Sequence, residues 1–280
     1  MLSNERMFLQ GLFSILIFAF VPLAIKYTTA TPLTICLFRL LVTVGALAVL
    51  WRKKISFHKF FTKEGAKLWL IGFIFFIHWI TYAYGVKIGG PSIGVLGLST
   101  YGIQLILAGT LFLDHHITKK DVVCLFLSFV GIVMIIPSWN FQNEMTLGLV
   151  LALLSATSFA LIPVMHKKTE AFNQQTRIFS QFAGALVFFF FFIGQTSWSL
   201  RPVDWAAMIF LGVFGTLIAH SLWAKISSTV SPNITGLAYY TIAPITILFS
   251  ALFLGDKLSV LQLSGAALVI ASAVANIIKV

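Results

Sequence analysis

The sequence predicts an all-α polytopic membrane protein: ten transmembrane helices in two inverted five-helix repeats. Three observations carry that expectation. Of the 280 residues, 59% are hydrophobic and only 10% are charged, a balance outside the range of water-soluble domains. The apolar residues gather into ten stretches, 7–27, 32–51, 67–86, 91–113, 121–138, 146–166, 176–195, 204–225, 232–254 and 260–278, each near the ~20 residues that cross about 30 Å of hydrocarbon. One constellation also recurs at a constant offset of 141: Pro22 with Pro163, Lys26 with Lys167, Pro91 with Pro232, Thr100 with Thr241, and Leu111-Phe112-Leu113 with Leu252-Phe253-Leu254. The chain divides on this basis into repeats 1–140 and 141–280. A unit with an odd number of spans ends on the opposite side of the bilayer, so its copy is inserted upside down, an architecture shared by many secondary transporters.

The elements follow in order. The first stretch lies after Arg6 like a secretory signal, but Pro22, Lys26 and Tyr27 stand where small cleavage-site residues belong, so it reads as a retained helix. The second opens at Pro32 and carries Arg39. The longest link, Arg52 to Lys67, is basic, and the other connections leave no room for a soluble catalytic domain. The third stretch holds His78, Trp79 and Tyr82. The fourth follows Gly85, Gly89 and Gly90 and contains Gly94, Gly97, Gly102 and Gly109, small residues that let helices cross closely in lipid. It also holds Tyr101 and Gln104. The fifth and tenth have the fewest polar residues and read as scaffold rather than cavity wall. The link from Lys167 to Thr176 joins the halves. Gln181 begins the seventh stretch, whose run 188–192 is apolar all round. His220 and Trp223 lie in the eighth stretch, Tyr239 and Tyr240 in the ninth. Pro22, Pro163 and Pro244 fall inside helical stretches, where each removes a backbone hydrogen bond; they are read as hinges.

The formal net charge of +11 reflects topology rather than nucleic-acid binding. With the N-terminus in the cytoplasm of a bacterial inner membrane, fourteen Lys and Arg residues fall in cytoplasmic links or ends and four (Lys26, Lys87, Arg201, Lys257) fall outside. The positive-inside rule therefore puts both termini in the cytoplasm. Cys36 and Cys124 lack metal-type spacing and read as packing residues. Asp114-His115-His116 reads as a solvated loop, because adjacent helical residues point in different directions. No nucleophile–base pair, metal set or cofactor motif points to an enzyme.

Polar side chains at membrane depth are costly and mark function. Arg39 lies about 10 Å into its stretch at 1.5 Å per residue. His78, Gln104 and His220 lie near mid-depth, whereas all eight acidic residues, Glu5, Glu64, Asp114, Asp121, Glu144, Glu170, Asp204 and Asp256, sit in links or at helix ends. Arg39 either reaches helix carbonyls and the outer headgroups or meets an anion such as a substrate carboxylate. The histidines either hydrogen-bond as neutral groups or relay protons. Trp79, Tyr82, Tyr101, Trp223, Tyr239 and Tyr240 either form interfacial belts or line an amphipathic cavity to which Thr100 and Thr241 offer hydroxyls.

The stretch Leu252-Phe253-Leu254-Gly255-Asp256-Lys257-Leu258-Ser259, with Gln262-Leu263-Ser264-Gly265-Ala266-Ala267-Leu268 after it and Ala243-Pro244 before it, resembles the end of an EamA repeat of the drug/metabolite transporter superfamily. In the first half Asp114-His115-His116 replaces the usual Gly-Glu-Arg-like turn and Ile103 stands at the proline position; 19–26 and Phe38-Arg39 match the opening of the first repeat, with Ala19-Phe20 for the usual Trp-Gly pair. The resemblance covers essentially the whole chain. It implies a central cavity walled by spans one to four and six to nine, with five and ten outside, and often export of amino acids or other metabolites. The expected ligand is a small molecule, an amino acid or related zwitterion or weak anion, bound by Arg39, His78, Trp79, Tyr82, Tyr101, Gln104, His220, Trp223, Tyr239 and Tyr240. Export of lipophilic cations through an aromatic box and a non-transport scaffold are the alternatives. The partners are that ligand and the lipid bilayer. One chain holds both repeats, so a monomer suffices and a dimer stays open.

Overall fold

A computed structural model describes residues 2–113, 118–136, 140–227 and 240–277, and every regular element in them is helical. The first half contains α1 (Leu2–Tyr27), α2 (Pro32–Leu50), α3 (Ala66–Gly89), α4 (Pro91–Leu98), α5 (Tyr101–Phe112) and α6 (Lys119–Ile135). The second contains α7 (Glu144–Lys168), α8 (Gln174–Phe190), α9 (Pro202–Ile209), a π-helix (Phe210–Ile218), α10 (Ala219–Ser227), α11 (Ile242–Leu254) and α12 (Val260–Ile277). All ten apolar stretches contain helix. Among the described residues six spans are long and apolar enough to cross a bilayer, including α4 with α5 as Pro91–Phe112 and α9 to α10 as Pro202–Trp223. At 17 residues each, α6 and α8 sit at the short end of the range for spanning helices.

Local chemistry sets several helix starts. Thr31 caps α2, its hydroxyl accepting from the Thr34 amide at 3.2 Å, with Pro32 in the first turn; Thr118 and Asp121 form a capping box at α6, and Asn143 and Asn173 cap α7 and α8. Such caps satisfy amides that have no carbonyl partner. Pro22 and Pro163 are inside α1 and α7. Pro244, expected inside a helix, is the third residue of α11 as described from Ile242; residues 228–239 before it lie outside the described residues. Tyr239, Pro232 and the run Asp114-His115-His116 lie outside the described residues.

Most tertiary packing runs between the halves. The α3 helix packs on α7 and α8, α4 and α5 on α7, α2 on α8 and the π-helix, and α1 on α10 and α11. In lipid such contacts depend on close packing rather than expulsion of water. A Cβ placed on Gly72 of α3 would lie 2.4 Å from the Gly184 Cα of α8, and one on Gly89 would lie 2.9 Å from the Gly148 Cα of α7, so only glycines permit these crossings. α6 packs chiefly on α12, joined by a hydrogen bond between the Ser128 and Ser272 hydroxyls and by the Gln262 side-chain amide donating to the Ile135 carbonyl at 3.2 Å. Cys36 and Cys124 are buried and unpaired.

One end of the bundle is fastened by buried polar contacts. Asp204, at the start of α9, has no exposed side-chain surface. Its carboxylate accepts from the Thr29 amide (2.8 Å) and hydroxyl (2.7 Å), and from the Arg201 amide (3.0 Å) and Nε (2.9 Å). Beside it the Lys87 ammonium donates to the Thr28 carbonyl, and Thr34 exchanges hydrogen bonds with the Ser197 backbone at 2.9 and 3.1 Å. The α1–α2 link is thereby tied to the second half.

Candidate functional site

The first observation that locates a site is Arg39, only 3% exposed in the middle of the bundle. Its guanidinium carbon lies 4.0 Å from the centroid of the Trp79 ring, a cation–π stack, and its Nε donates to the Thr216 hydroxyl at 2.8 Å. That hydroxyl donates onward to the Leu211 carbonyl, five residues earlier, at 2.7 Å, so it meets Arg39 as a pure acceptor. The π-helical winding of Phe210–Ile218 supplies this i, i−5 relation, and single π turns are frequent at functional sites. Nη1 and Nη2 have no hydrogen-bond partner among the described residues and open on a cavity.

The cavity, of about 50 Å³, is lined from seven helices. Phe18, Val21 and Ile25 come from one face of α1, Arg39 from α2, and His78, Trp79, Tyr82 and Ala83 from α3. Val95, Leu98 and Ser99 come from the end of α4, Phe159 from α7, His220 and Trp223 from α10, and Ile242 from α11. Helical spacing explains why 18, 21 and 25, or 78 and 82, share a face. No acidic side chain is among the lining residues.

His78 is held by α7. The Ser155 hydroxyl donates to the His78 carbonyl at 2.9 Å, which commits its proton and leaves its oxygen, 2.7 Å from His78 Nδ1, to accept. The Ser155 carbonyl, 3.1 Å from the same nitrogen, is also an acceptor. In the neutral ring the proton therefore sits on Nδ1 and the lone pair on Nε2. Both imidazoles lie against phenylalanines related by the 141-residue offset: His78 stacks on Phe159 (centroids 4.6 Å, 16° between planes) and His220 is tilted against Phe18 (4.8 Å, 59°). Tyr82 and Trp223 are a second pair at this offset and also line the cavity. Pro22 cannot donate to the Phe18 carbonyl, nor Pro163 to that of Phe159, so each cavity phenylalanine sits one turn before a bend-forming proline.

Of the residues expected to bind a ligand, Arg39, His78, Trp79, Tyr82, His220 and Trp223 are gathered on the cavity. The other described ones are not. Tyr101 sits behind Phe159, ring to ring at 4.6 Å. Gln104 donates to the Thr100 hydroxyl at 2.7 Å and to the Leu153 carbonyl at 3.4 Å, tying α5 to α7. Tyr240 packs on the far side with Ile103 and Cys124, its hydroxyl against Gly102. Thr100 donates within its own helix turn at 2.7 Å and Thr241 is exposed. Sequence reasoning passed over Phe18, Phe159, Ser155, Ser99 and Thr216. The 141-residue spacing marks the first two; nothing in the sequence marks Thr216.

The model of the EamA-like transporter family matches twice, over residues 6–136 and 146–278. A protein of Bacillus subtilis (strain 168) named uncharacterized transporter YyaM is 23% identical over 196 residues, which make up 66% of this chain and 64% of that relative. A solved structure titled "Crystal structure of protein" superposes with a TM-score of 0.63 at 18% identity, covering 97% of this chain and 96% of the other, a likeness of fold.

Proposed function

The chain belongs to the EamA-like transporter family, and from that premise we propose that it is a secondary carrier moving a small metabolite carboxylate, an amino acid or related zwitterion or weak anion, outward. Members of this family are membrane transporters rather than enzymes, and the six long apolar spans make this chain an integral membrane protein. In our reading the membrane is the bacterial inner membrane and both termini are cytoplasmic. Repeats 1–140 and 141–280 rock about the cavity by alternating access, bending at Pro22 and Pro163, and a single chain forms the working unit.

The observation that carries this reading is Arg39. A buried guanidinium without a counter-ion is costly, and here Nε is fixed by Thr216 while the Nη1/Nη2 edge opens on a cavity. That edge is the fork that holds a carboxylate by two parallel hydrogen bonds. The aromatic walls would also suit a lipophilic cation, but Arg39 repels one. About 50 Å³ holds only a few waters, so binding requires the walls to part.

The test is uptake of labelled amino acids and organic acids by proteoliposomes containing the purified chain. Flux is expected for the wild type and loss of flux for Arg39→Ala, with the variant still monodisperse in detergent. Undiminished flux in Arg39→Ala rejects the carboxylate role, and resistance to quaternary ammonium compounds that survives Arg39→Ala supports the cation reading.

A further inference from the structure

We infer that the cavity takes an aromatic monocarboxylate that carries no ammonium group, in preference to the corresponding α-amino acid; the inference rests on the carboxylate reading of Arg39 given above.

Charge is the first ground. Arg39 brings +1 to a site from which water is largely excluded. The six acids whose side chains are described do not balance it. Asp204 is engaged by Thr29 and Arg201, and Asp256 by the Ser92 amide (3.1 Å) and the Ser250 hydroxyl (2.8 Å). Asp121 caps α6, Glu64 and Glu170 pair with Lys67 and Lys167, and Glu144 lies in the first turn of α7. Segment 228–239, between α10 and α11, has no acidic residue in its sequence. A monoanion brings the loaded site to zero, whereas a zwitterion leaves it at +1 with an ammonium held near a guanidinium. Uncompensated charge in a low-dielectric interior is the more expensive arrangement.

Shape is the second ground. The cavity is bounded by aromatic planes. His78 is nearly parallel to both Phe159 (16°) and Tyr82 (22°), and Trp79, Phe18 and Trp223 complete the wall. Rings in such surroundings gain stacking beyond simple burial. The guanidinium lies against the Trp79 ring, so its free edge is presented beside the aromatic walls, and a ligand with a ring one or two carbons from its carboxylate meets both.

The experiment compares L-phenylalanine with 3-phenylpropionate, which lacks its ammonium group, and with phenethylamine, which lacks its carboxylate, as ligands of the full-length protein in detergent, by thermal shift and calorimetry. We expect 3-phenylpropionate to bind about tenfold more tightly than L-phenylalanine, phenethylamine not to bind, and Arg39→Gln to abolish binding while Arg39→Lys, which keeps the charge but loses the fork, weakens it. Equal or tighter binding of L-phenylalanine that still requires Arg39 overturns the inference and leaves the carboxylate site standing. Absence of binding by both acids, or binding unchanged in Arg39→Gln, overturns both. The wild-type comparison alone decides between monoanion and zwitterion, so a variant that fails to fold does not obscure the result.

Discussion

Thr216 controls where the Arg39 guanidinium points. Its hydroxyl accepts from Nε only because its own proton is committed to the Leu211 carbonyl. Replacing it by valine keeps the volume but removes a hydrogen bond to a charged group, an interaction worth about 1.5–3 kcal/mol. Thr216→Val is expected to weaken carboxylate binding about tenfold and Thr216→Ser to restore it, read by titration calorimetry; an unchanged affinity in Thr216→Val shows that Arg39 is oriented by Trp79 alone. At this scale the sequence announces charge and imidazole but not direction. Arg39, His78 and His220 are conspicuous among apolar neighbours, and all three reach the cavity. Gln104 and Tyr240 stand equally well by membrane depth yet face elsewhere, because depth follows from counting residues whereas the azimuth of a helix depends on its neighbours. Phe18 and Phe159 are hidden among 28 phenylalanines, and only their spacing distinguishes them.

Among the elements, the crossing of α3 and α8 is the most exacting. Gly72→Ala would put a Cβ 2.4 Å from the Gly184 Cα, a backbone clash that no rotamer relieves. Overpacking of this kind costs about 1–3 kcal/mol, and the expected result is a lowered unfolding temperature in detergent, with Gly45→Ala, where a Cβ meets nothing within 4 Å, as the control. Equal melting of the two variants removes the close crossing from the account. All ten apolar stretches contain helix because hydropathy and length report directly on bilayer crossing. The interruption at Ser99 and Thr100 between α4 and α5 and the π-helix of the eighth span were not legible. Both lie within unbroken apolar runs, where side-chain chemistry gives little indication of backbone winding.

For the molecule as a whole, the polar fastening at Asp204 is expected to restrain access to the cavity from its end of the bundle. Ile25, fully buried and lining the cavity, is four residues from Thr29, which Asp204 binds through both amide and hydroxyl. Breaking two hydrogen bonds to a carboxylate shifts a two-state equilibrium by several kcal/mol at most. A cysteine placed at Ile25 should react with a water-soluble maleimide about tenfold faster when Asp204→Asn is added, with Thr29→Val acting in the same direction; identical rates show that the fastening does not restrain that access. The 141-residue offset makes two like halves legible, but not that each packs mostly against the other, since complementarity between distant helices leaves no trace in either one alone. That mutual packing has a consequence for biosynthesis. The leading half emerges from the ribosome with the face of α3 that will meet α7 and α8 still unpartnered, and Arg39 without the Thr216 that later anchors it. Until the trailing half is threaded into the lipid, that face and that guanidinium lack the partners they have in the complete fold, and a product truncated between the halves is expected to be less stable than the whole chain.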